Sequence, residues 1–173
     1  VFIQNGEIIR NFDGEFTTIC KVDEIKLPGK HNVENVLAAV SVGSILGVAT
    51  NSICQAIQNF TGNEHTFEFV DEINGVKFIN DTKATNVEAT RAALETAKKP
   101  ILLLMGGYDK GNDYSPLVEL VREKVKGLLL LGPNTARIEE SLGMRTQFWH
   151  CKTMNEAVEL AFSRSTCGDT VLL

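Results

Sequence analysis

Two short polar stretches in this 173-residue chain combine groups that could hold a ligand or move charge. The first is Asn80-Asp81-Thr82-Lys83-Ala84-Thr85-Asn86. A carboxylate at Asp81 can accept hydrogen bonds from the hydroxyls of a ribose. The Lys83 ammonium can meet a phosphate or a carboxylate. Thr85, with the unpaired amides that begin a helix, can hold an anion. The second stretch is Gly106-Gly107-Tyr108-Asp109-Lys110-Gly111. Its glycines let the backbone approach a ligand closely, and Lys110 supplies a point charge there. Its spacing is neither GxxxxGK[ST] nor GxGxxG, so neither phosphate-binding fingerprint applies. A plainer reading fits the same residues: Thr85 caps a helix, Asp81 closes a turn, and the two lysines are solvated. Spacing alone leaves both open. A third pair, Asn32 and Asn35, lies three residues apart and so shares one helix face. An amide offers donor and acceptor together, as an adenine edge requires, although Asn32 as a simple cap accounts for the pattern too.

The polar stretches owe their position to a strand–helix alternation. Residues 76–79, 101–105, 128–131, 147–150 and 170–173 read as strands, and 87–97, 135–142 and 154–163 as helices, with another starting at Ser115-Pro116. The run 101–105 is almost wholly apolar, as in a strand buried on both faces. Thr85 with Glu88 reads as a capping box, Ser115 as an N-cap before Pro116, Gly143 as a helix stop, and Thr153 with Glu156 as another cap. The series βαβαβαβαβ predicts an α/β fold, a mainly parallel, doubly wound sheet with flanking helices. Such sheets bind ligands beyond the carboxyl ends of their strands, where both polar stretches fall. Upstream, residues 1–27 read as short strands turning at Asn5-Gly6 and Asp13-Gly14. A helix from Asn32 is expected to bury Val33, Val36, Leu37, Val40, Ser41 and Ile45. A second, over 51–60, is expected to bury Ile53, Ala56, Ile57 and Phe60. Thr61-Gly62-Asn63 breaks the pattern and predicts a boundary between 1–60 and 61–173.

Composition narrows the function classes. A net charge of −5 lacks the basic footprint of a nucleic-acid binder. The apolar runs are too short to span a bilayer and no signal-peptide pattern is present, so a cytoplasmic chain without membrane insertion is expected. Cys20, Cys54, Cys151 and Cys167 form no CxxC pair and have no His at a zinc-ligand spacing. Reduced, incidental thiols and no metal site are the expectation. His65 and His150 read as structural and Trp149 as core or strand flank. The chain starts without Met inside a strand-like segment and ends on Val171-Leu172-Leu173; both ends are expected to be cuts in a longer protein.

Three stretches, in order, resemble a known family. Leu27-Pro28-Gly29-Lys30-His31-Asn32-Val33-Glu34-Asn35-Val36-Leu37-Ala38-Ala39 resembles the helix-opening motif of the Mur ligases. The 80–86 stretch resembles the NDSKATN loop of the D-glutamate-adding branch, where the branches adding L-alanine or a diamino acid carry a DYAH-like sequence. The 106–111 stretch, followed by Tyr114-Ser115-Pro116-Leu117, resembles the next strand–loop–helix. The resemblance covers essentially the whole chain. It implies a Rossmann-like C-terminal ligase domain over 61–173, truncated at its C-terminus, preceded over 1–60 by the end of a central P-loop-type ATP-binding domain. It implies an ATP- and Mg2+-dependent ligase of peptidoglycan synthesis that joins D-glutamate to UDP-N-acetylmuramoyl-L-alanine through an acyl phosphate. Such an enzyme works as a cytoplasmic monomer on small-molecule substrates. Position by position, Asn32 and Asn35 would contact adenine and Asp81 the ribose. Lys83, Thr85 and Lys110 would hold D-glutamate or the phosphoryl-transfer region, with Lys83 and Lys110 catalytic. The P-loop and the magnesium ligands would precede Val1, and a SPACAS-like loop would follow Leu173, so the piece is expected to be inactive alone. One departure stands out: the family's hinge reads HRFE, its arginine reaching the ATP phosphates, whereas His65-Thr66-Phe67-Glu68 lacks that arginine. A folylpolyglutamate-type amide ligase is the alternative within the same fold, and a non-catalytic nucleotide-binding module the alternative outside it.

Overall fold

The computed structural model describes residues 1–108, 111–133 and 135–173, and the chain divides into two compact units, Val1–Gly62 and Asn63–Leu173.

In the first unit, strands β1 (Phe2–Gln4), β2 (Glu7–Phe12) and β3 (Glu15–Lys21) form an antiparallel meander. Its two hairpin turns place Asn5 and Gly6 at φ 53° and 79°, and Asp13 and Gly14 at 51° and 87°. Both central residues are left-handed, as the turn that matches strand twist requires. Helices α1 (Lys30–Ile45) and α2 (Thr50–Asn59) follow, and Ile8, Ile19, Cys20, Val40 and Ile53 make the core. Both helices depart from the expectation. Helix α1 starts at Lys30 rather than Asn32, behind Gly29 at φ 98°, and its last residue, Ile45, is 76% exposed. In α2 the inward residues are Ile53 and Ile57 with half-buried Cys54 and Gln58, while Ala56 and Phe60 are exposed. Residues 53, 54, 57 and 58 form the i, i+1, i+4, i+5 stripe that a narrow contact selects; Phe60 lies past the last turn as the C-cap.

The second unit opens with a hairpin of β4 (Glu68–Ile73) and β5 (Val76–Asn80), turned at Asn74 and Gly75 with φ 54° and 77°. It continues through α3 (Val87–Thr96), β6 (Ile101–Gly106), a 3-10 turn (Ser115–Leu117), α4 (Val118–Lys124), β7 (Val125–Leu131), α5 (Ala136–Leu142), β8 (Gln147–Cys151), α6 (Met154–Arg164) and β9 (Thr170–Leu172). Among the described residues the sheet order is β4-β5-β9-β6-β7-β8, parallel except for the edge strand β4. This is the mainly parallel α/β sheet expected, with an antiparallel edge that the sequence reading passed over. The last strand in sequence, β9, sits centrally between β5 and β6.

The helices divide by the direction of travel. Residues of α3, α4 and α5 (Leu94, Val121, Ile138, Leu142) pack with Ile101, Leu103, Leu128 and Leu130 on one face. Ala157 and Ala161 of α6 pack with Leu102, Leu104, Leu129 and Val171 on the other. Crossovers in a parallel sheet are right-handed, so those that advance cover one face and the one that returns covers the opposite face. Strands β6 and β7 are covered on both sides, which is why they are apolar at nearly every position.

Candidate functional site

The 80–86 stretch leaves β5 at its carboxyl end, and its residues divide into those tied into the fold and those left outward. Asp81 is 8% exposed and its Oδ1 accepts the Phe67 N–H at 2.9 Å. The Asp81 N–H donates to the Leu173 carbonyl at 2.7 Å and its carbonyl accepts the Ala84 N–H at 2.8 Å. Asn80 folds back on both sides: its Oδ1 accepts the Thr82 N–H at 3.2 Å, and its Nδ2 lies 2.8 Å from His65 Nδ1. The Lys83 N–H donates to the His65 carbonyl at 3.1 Å. The segment ahead of β4 is thus laced to this loop at three points.

His65 and Phe67 take φ values of 63° and 44°. A side chain in this left-handed region costs on the order of 1 kcal/mol or more, so the lacing holds a conformation the segment would otherwise leave. His65, read from sequence as structural, is a structural part of the site: it ties its own segment to Asn80 and Lys83. Only the HRFE-like motif marked it in sequence, since backbone handedness leaves no such trace.

The helix cap corrects the sequence reading. Asn86, not Thr85, is the N-cap of α3: its Oδ1 accepts the Ala89 N–H at 2.8 Å, and its carbonyl accepts the Thr90 hydroxyl at 3.1 Å. Thr85 therefore keeps its hydroxyl outside the cap. Lys83 and Thr85 are exposed, and their side chains make no hydrogen bond or ion pair among the described residues. An ammonium and a hydroxyl two residues apart on an outward loop can meet a dianionic or carboxylate ligand at little desolvation cost.

The second stretch begins at the end of β6. Gly106 is required by packing: a Cβ there would stand 2.2 Å from the Leu131 carbonyl oxygen of β7. Gly107 follows at φ 104°, and Tyr108 is 81% exposed. Asp109 and Lys110 lie outside the described residues. Farther along, Asp113 accepts the Ser115 amide at 2.9 Å and the Ser115 hydroxyl at 2.8 Å. Ser115 is thus the first residue of the 3-10 turn and a donor to Asp113, not the N-cap expected. These two bonds hold the exposed Asp113 carboxyl below its usual range.

The two stretches meet around one cleft of about 290 Å³ at the carboxyl ends of the parallel strands. Asp81, Thr82 and Ala84 come from the first loop, Gly106 and Gly107 from the second, and Leu103–Met105 give an apolar floor. Lys83 and Thr85 stand on the same loop without lining the cleft. In the first unit, the Asn32 Nδ2 donates to the Pro28 carbonyl at 2.7 Å, and the Asn35 Nδ2 donates to Asn32 Oδ1 at 3.4 Å. The two amides are side by side on the first two turns of α1, as their spacing required. Asn32 ties down the Pro28-Gly29 entry while Asn35 remains exposed.

Comparison with known proteins gives a consistent picture. A family model described as "Mur ligase, glutamate ligase domain" matches residues 66–173. The UDP-N-acetylmuramoylalanine--D-glutamate ligase of Caldicellulosiruptor bescii is 43% identical, over 100% of this chain and 38% of the relative. That of Symbiobacterium thermophilum is also 43% identical, over 99% of this chain and 38% of the relative. The chain therefore spans a little over a third of the length of these relatives. The MurF ligase of Thermotoga maritima, solved in complex with ADP, superimposes with a TM-score of 0.68 at 16% identity, over 99% of this chain and 40% of that one; this last likeness is one of fold.

Proposed function

The chain belongs to the Mur ligase family, and from that premise we propose that it is part of the enzyme that adds D-glutamate to UDP-N-acetylmuramoyl-L-alanine in peptidoglycan synthesis. The observation that carries the reading is the 80–86 loop: it leaves a parallel strand at its carboxyl end with Lys83 and Thr85 outward and chemically uncommitted. The 43% identity to D-glutamate ligases supports the choice of amino acid.

In this reaction the γ-phosphoryl group of ATP passes to the carboxylate of the UDP-sugar's alanine, giving an acyl phosphate and ADP. The D-glutamate amine then attacks the acyl carbon, phosphate leaves, and an amide bond remains. Lys83 suits a carboxylate of D-glutamate or the acyl phosphate, with its ammonium opposing charge that grows as phosphate departs. Thr85 supplies a hydrogen bond to the same ligand, and Lys110 is assigned a like role from its place on the second loop. Asn35, exposed beside Asn32, suits the adenine edge, and Asp81 the ribose. Mg2+ is a hard cation that takes oxygen ligands in near-octahedral order. Among the described residues, the one group of three ligand-bearing side chains within reach of each other contains two thiols, a donor set that does not fit Mg2+. No described helix is long and apolar enough to cross a membrane. The reading places the enzyme in the cytoplasm as a monomer, and a chain spanning little over a third of its relatives is expected not to turn over alone.

The test is Lys83→Ala in the full-length enzyme. Removing a charge that acts on the reacting ligand is expected to lower D-glutamate-dependent ADP release by about 10²-fold or more. Kinetics equal to the unmodified enzyme would remove Lys83 from the site. A panel of acceptor amino acids that favoured L-glutamate on a folate acceptor would instead support the folylpolyglutamate-type reading.

A further inference from the structure

We propose that the first unit carries a thiolate-rich metal site, built from Cys20, Cys54 and Glu24, that takes a d10 divalent cation of the zinc class. The three residues come from three different elements: Cys20 from β3, Glu24 from the 3-10 turn Val22–Glu24, and Cys54 from α2. Their ligand atoms, two Sγ and a carboxylate oxygen, all lie within 4.8 Å of one another. Tetrahedral zinc, with bonds of about 2.3 Å to sulfur and about 2.0–2.2 Å to oxygen, spaces its ligand atoms roughly 3.5–3.8 Å apart. The side chains therefore need shifts of about an ångström or less, which rotation about χ1 of half-buried Cys54 and about the side-chain torsions of half-buried Glu24 can supply.

The surroundings favour a closed cation site. Cys20 is 4% exposed and packs with Ile8, Ile19, Val40 and Ile53. Glu24 is already oriented: its Oε2 accepts the Lys21 N–H at 2.7 Å and its Oε1 accepts Gln58 Nε2 at 2.9 Å. Such outer partners fix a ligand's direction before the metal arrives. Gln58 stands one turn beyond Cys54 on α2 as the outer partner of Glu24, and a water would take the fourth tetrahedral position.

The charge balance works. One divalent cation enters, the two S–H bonds give up their protons to solvent, and two metal–sulfur bonds and one metal–oxygen bond form. The local net charge is −1 before and −1 after, so binding adds no uncompensated charge beside the core. The sequence hid the site because Cys20 and Cys54 are 34 residues apart with no CxxC or His between them, and because the phase assigned to α2 turned Ala56 and Phe60 inward in place of Cys54.

The experiment uses the full chain, reduced and stripped of metal, titrated with Co2+ and then Zn2+. The expected result is one Co2+ per chain with an intense near-ultraviolet sulfur-to-cobalt absorption, displaced by stoichiometric Zn2+. Calorimetry in buffers of different ionisation enthalpy should show two protons released per metal at neutral pH. Cys54→Ser, at a half-buried position, should abolish the absorption while leaving the metal-free circular dichroism unchanged. Glu24→Gln should weaken Zn2+ binding at least tenfold. Zinc should protect Cys54 from alkylation in the unmodified chain, a readout that needs no variant to fold. Absorption that persists in Cys54→Ser, absence of any sulfur–cobalt band in the reduced chain, or alkylation of Cys54 unaffected by zinc would each overturn the proposal. So would a Cys20–Cys54 disulfide forming in air in the presence of excess Zn2+.

Discussion

The Asp81–Phe67 contact ties the segment ahead of β4 to the 80–86 loop, and substitution of Asp81 tests it. Asp81→Ala removes a buried carboxylate that accepts the Phe67 N–H at 2.9 Å. A hydrogen bond to a charged acceptor contributes about 1.5–3 kcal/mol, against about 0.5–1.5 kcal/mol for a neutral one. Part of that loss is recovered, because the segment ahead of β4 is freed to leave the left-handed conformations of His65 and Phe67. The net cost expected for Asp81→Ala is about 2 kcal/mol, and for Asp81→Asn, which keeps an oxygen in place, about 1 kcal/mol. In a unit of about 110 residues a loss of 2 kcal/mol lowers Tm by roughly 8 °C. Trp149 is the single tryptophan and lies in β8 under the Arg164 guanidinium, 5.3 Å from the ring centroid. Its fluorescence in a urea titration therefore reports the second unit. Hydrogen exchange at the Phe67 amide should accelerate in Asp81→Ala in step with the local loss. Fluorescence midpoints that agree within about 0.5 kcal/mol, together with an unchanged Phe67 exchange rate, would refute the claim that this contact holds the segment. Equal losses in Asp81→Asn and Asp81→Ala would show that charge matters and the acceptor position does not.

The other predictions use the same fluorescence readout. Gly106→Ala places a Cβ 2.2 Å from a backbone oxygen of β7 and should cost about 2–4 kcal/mol, whereas Gly107→Ala meets nothing within 4 Å and should cost only its left-handed strain, about 1 kcal/mol. Asn86→Ala should lose about 1 kcal/mol of cap and Thr85→Ala less than about 0.5 kcal/mol; the reverse order would restore Thr85 as the cap. Burial raises the Cys151 thiol above its usual value of 9.0. The unfolded chain then ionises first and binds fewer protons, so the second unit should lose stability as pH climbs from 9 toward the raised folded value. That slope should vanish in Cys151→Ala, and stability that rises through this window would contradict the sign.

What could be read from sequence was the part set by period and punctuation. The parallel strands appeared because 101–105 and 128–131 are too apolar to be covered on one face only. The loops appeared because polar residues interrupt those strands at their carboxyl ends. Strand β4 was missed because Phe69, Val70 and Ile73 are exposed on an edge, so no alternation marks it, although Asn74-Gly75 was a hairpin signal in plain view. Residue type placed Thr85 at the cap with as much reason as Asn86. The choice turns on which residue is extended when α3 begins, and Asn86 is, at φ −144° and ψ 167°. The Cys20–Glu24–Cys54 cluster depends on the phase of a ten-residue helix, and a shift of one position moves a cysteine from solvent to core.

Within 80–86 the committed and uncommitted positions carry different weight in the proposed chemistry. Asn80, held by the Thr82 amide and the His65 ring, and Asn86, held by the Ala89 amide, are committed to the fold and can be dropped from any ligand assignment. Thr82, Lys83 and Thr85 hold no side-chain partner among the described residues and can turn to a ligand without breaking the fold. Asp81 is the case between. An ionised carboxylate has about four lone-pair sites, so accepting the Phe67 N–H does not exclude accepting a ribose hydroxyl as well. The two uses are then linked: a ribose that donates to Asp81 binds only where the carboxylate is held as it is held now, and its binding must stabilise the same segment, by linkage. Nucleotide bound to the full-length enzyme should therefore slow exchange at the Phe67 amide. If Asp81 serves the fold alone, that amide will exchange at the same rate with and without nucleotide.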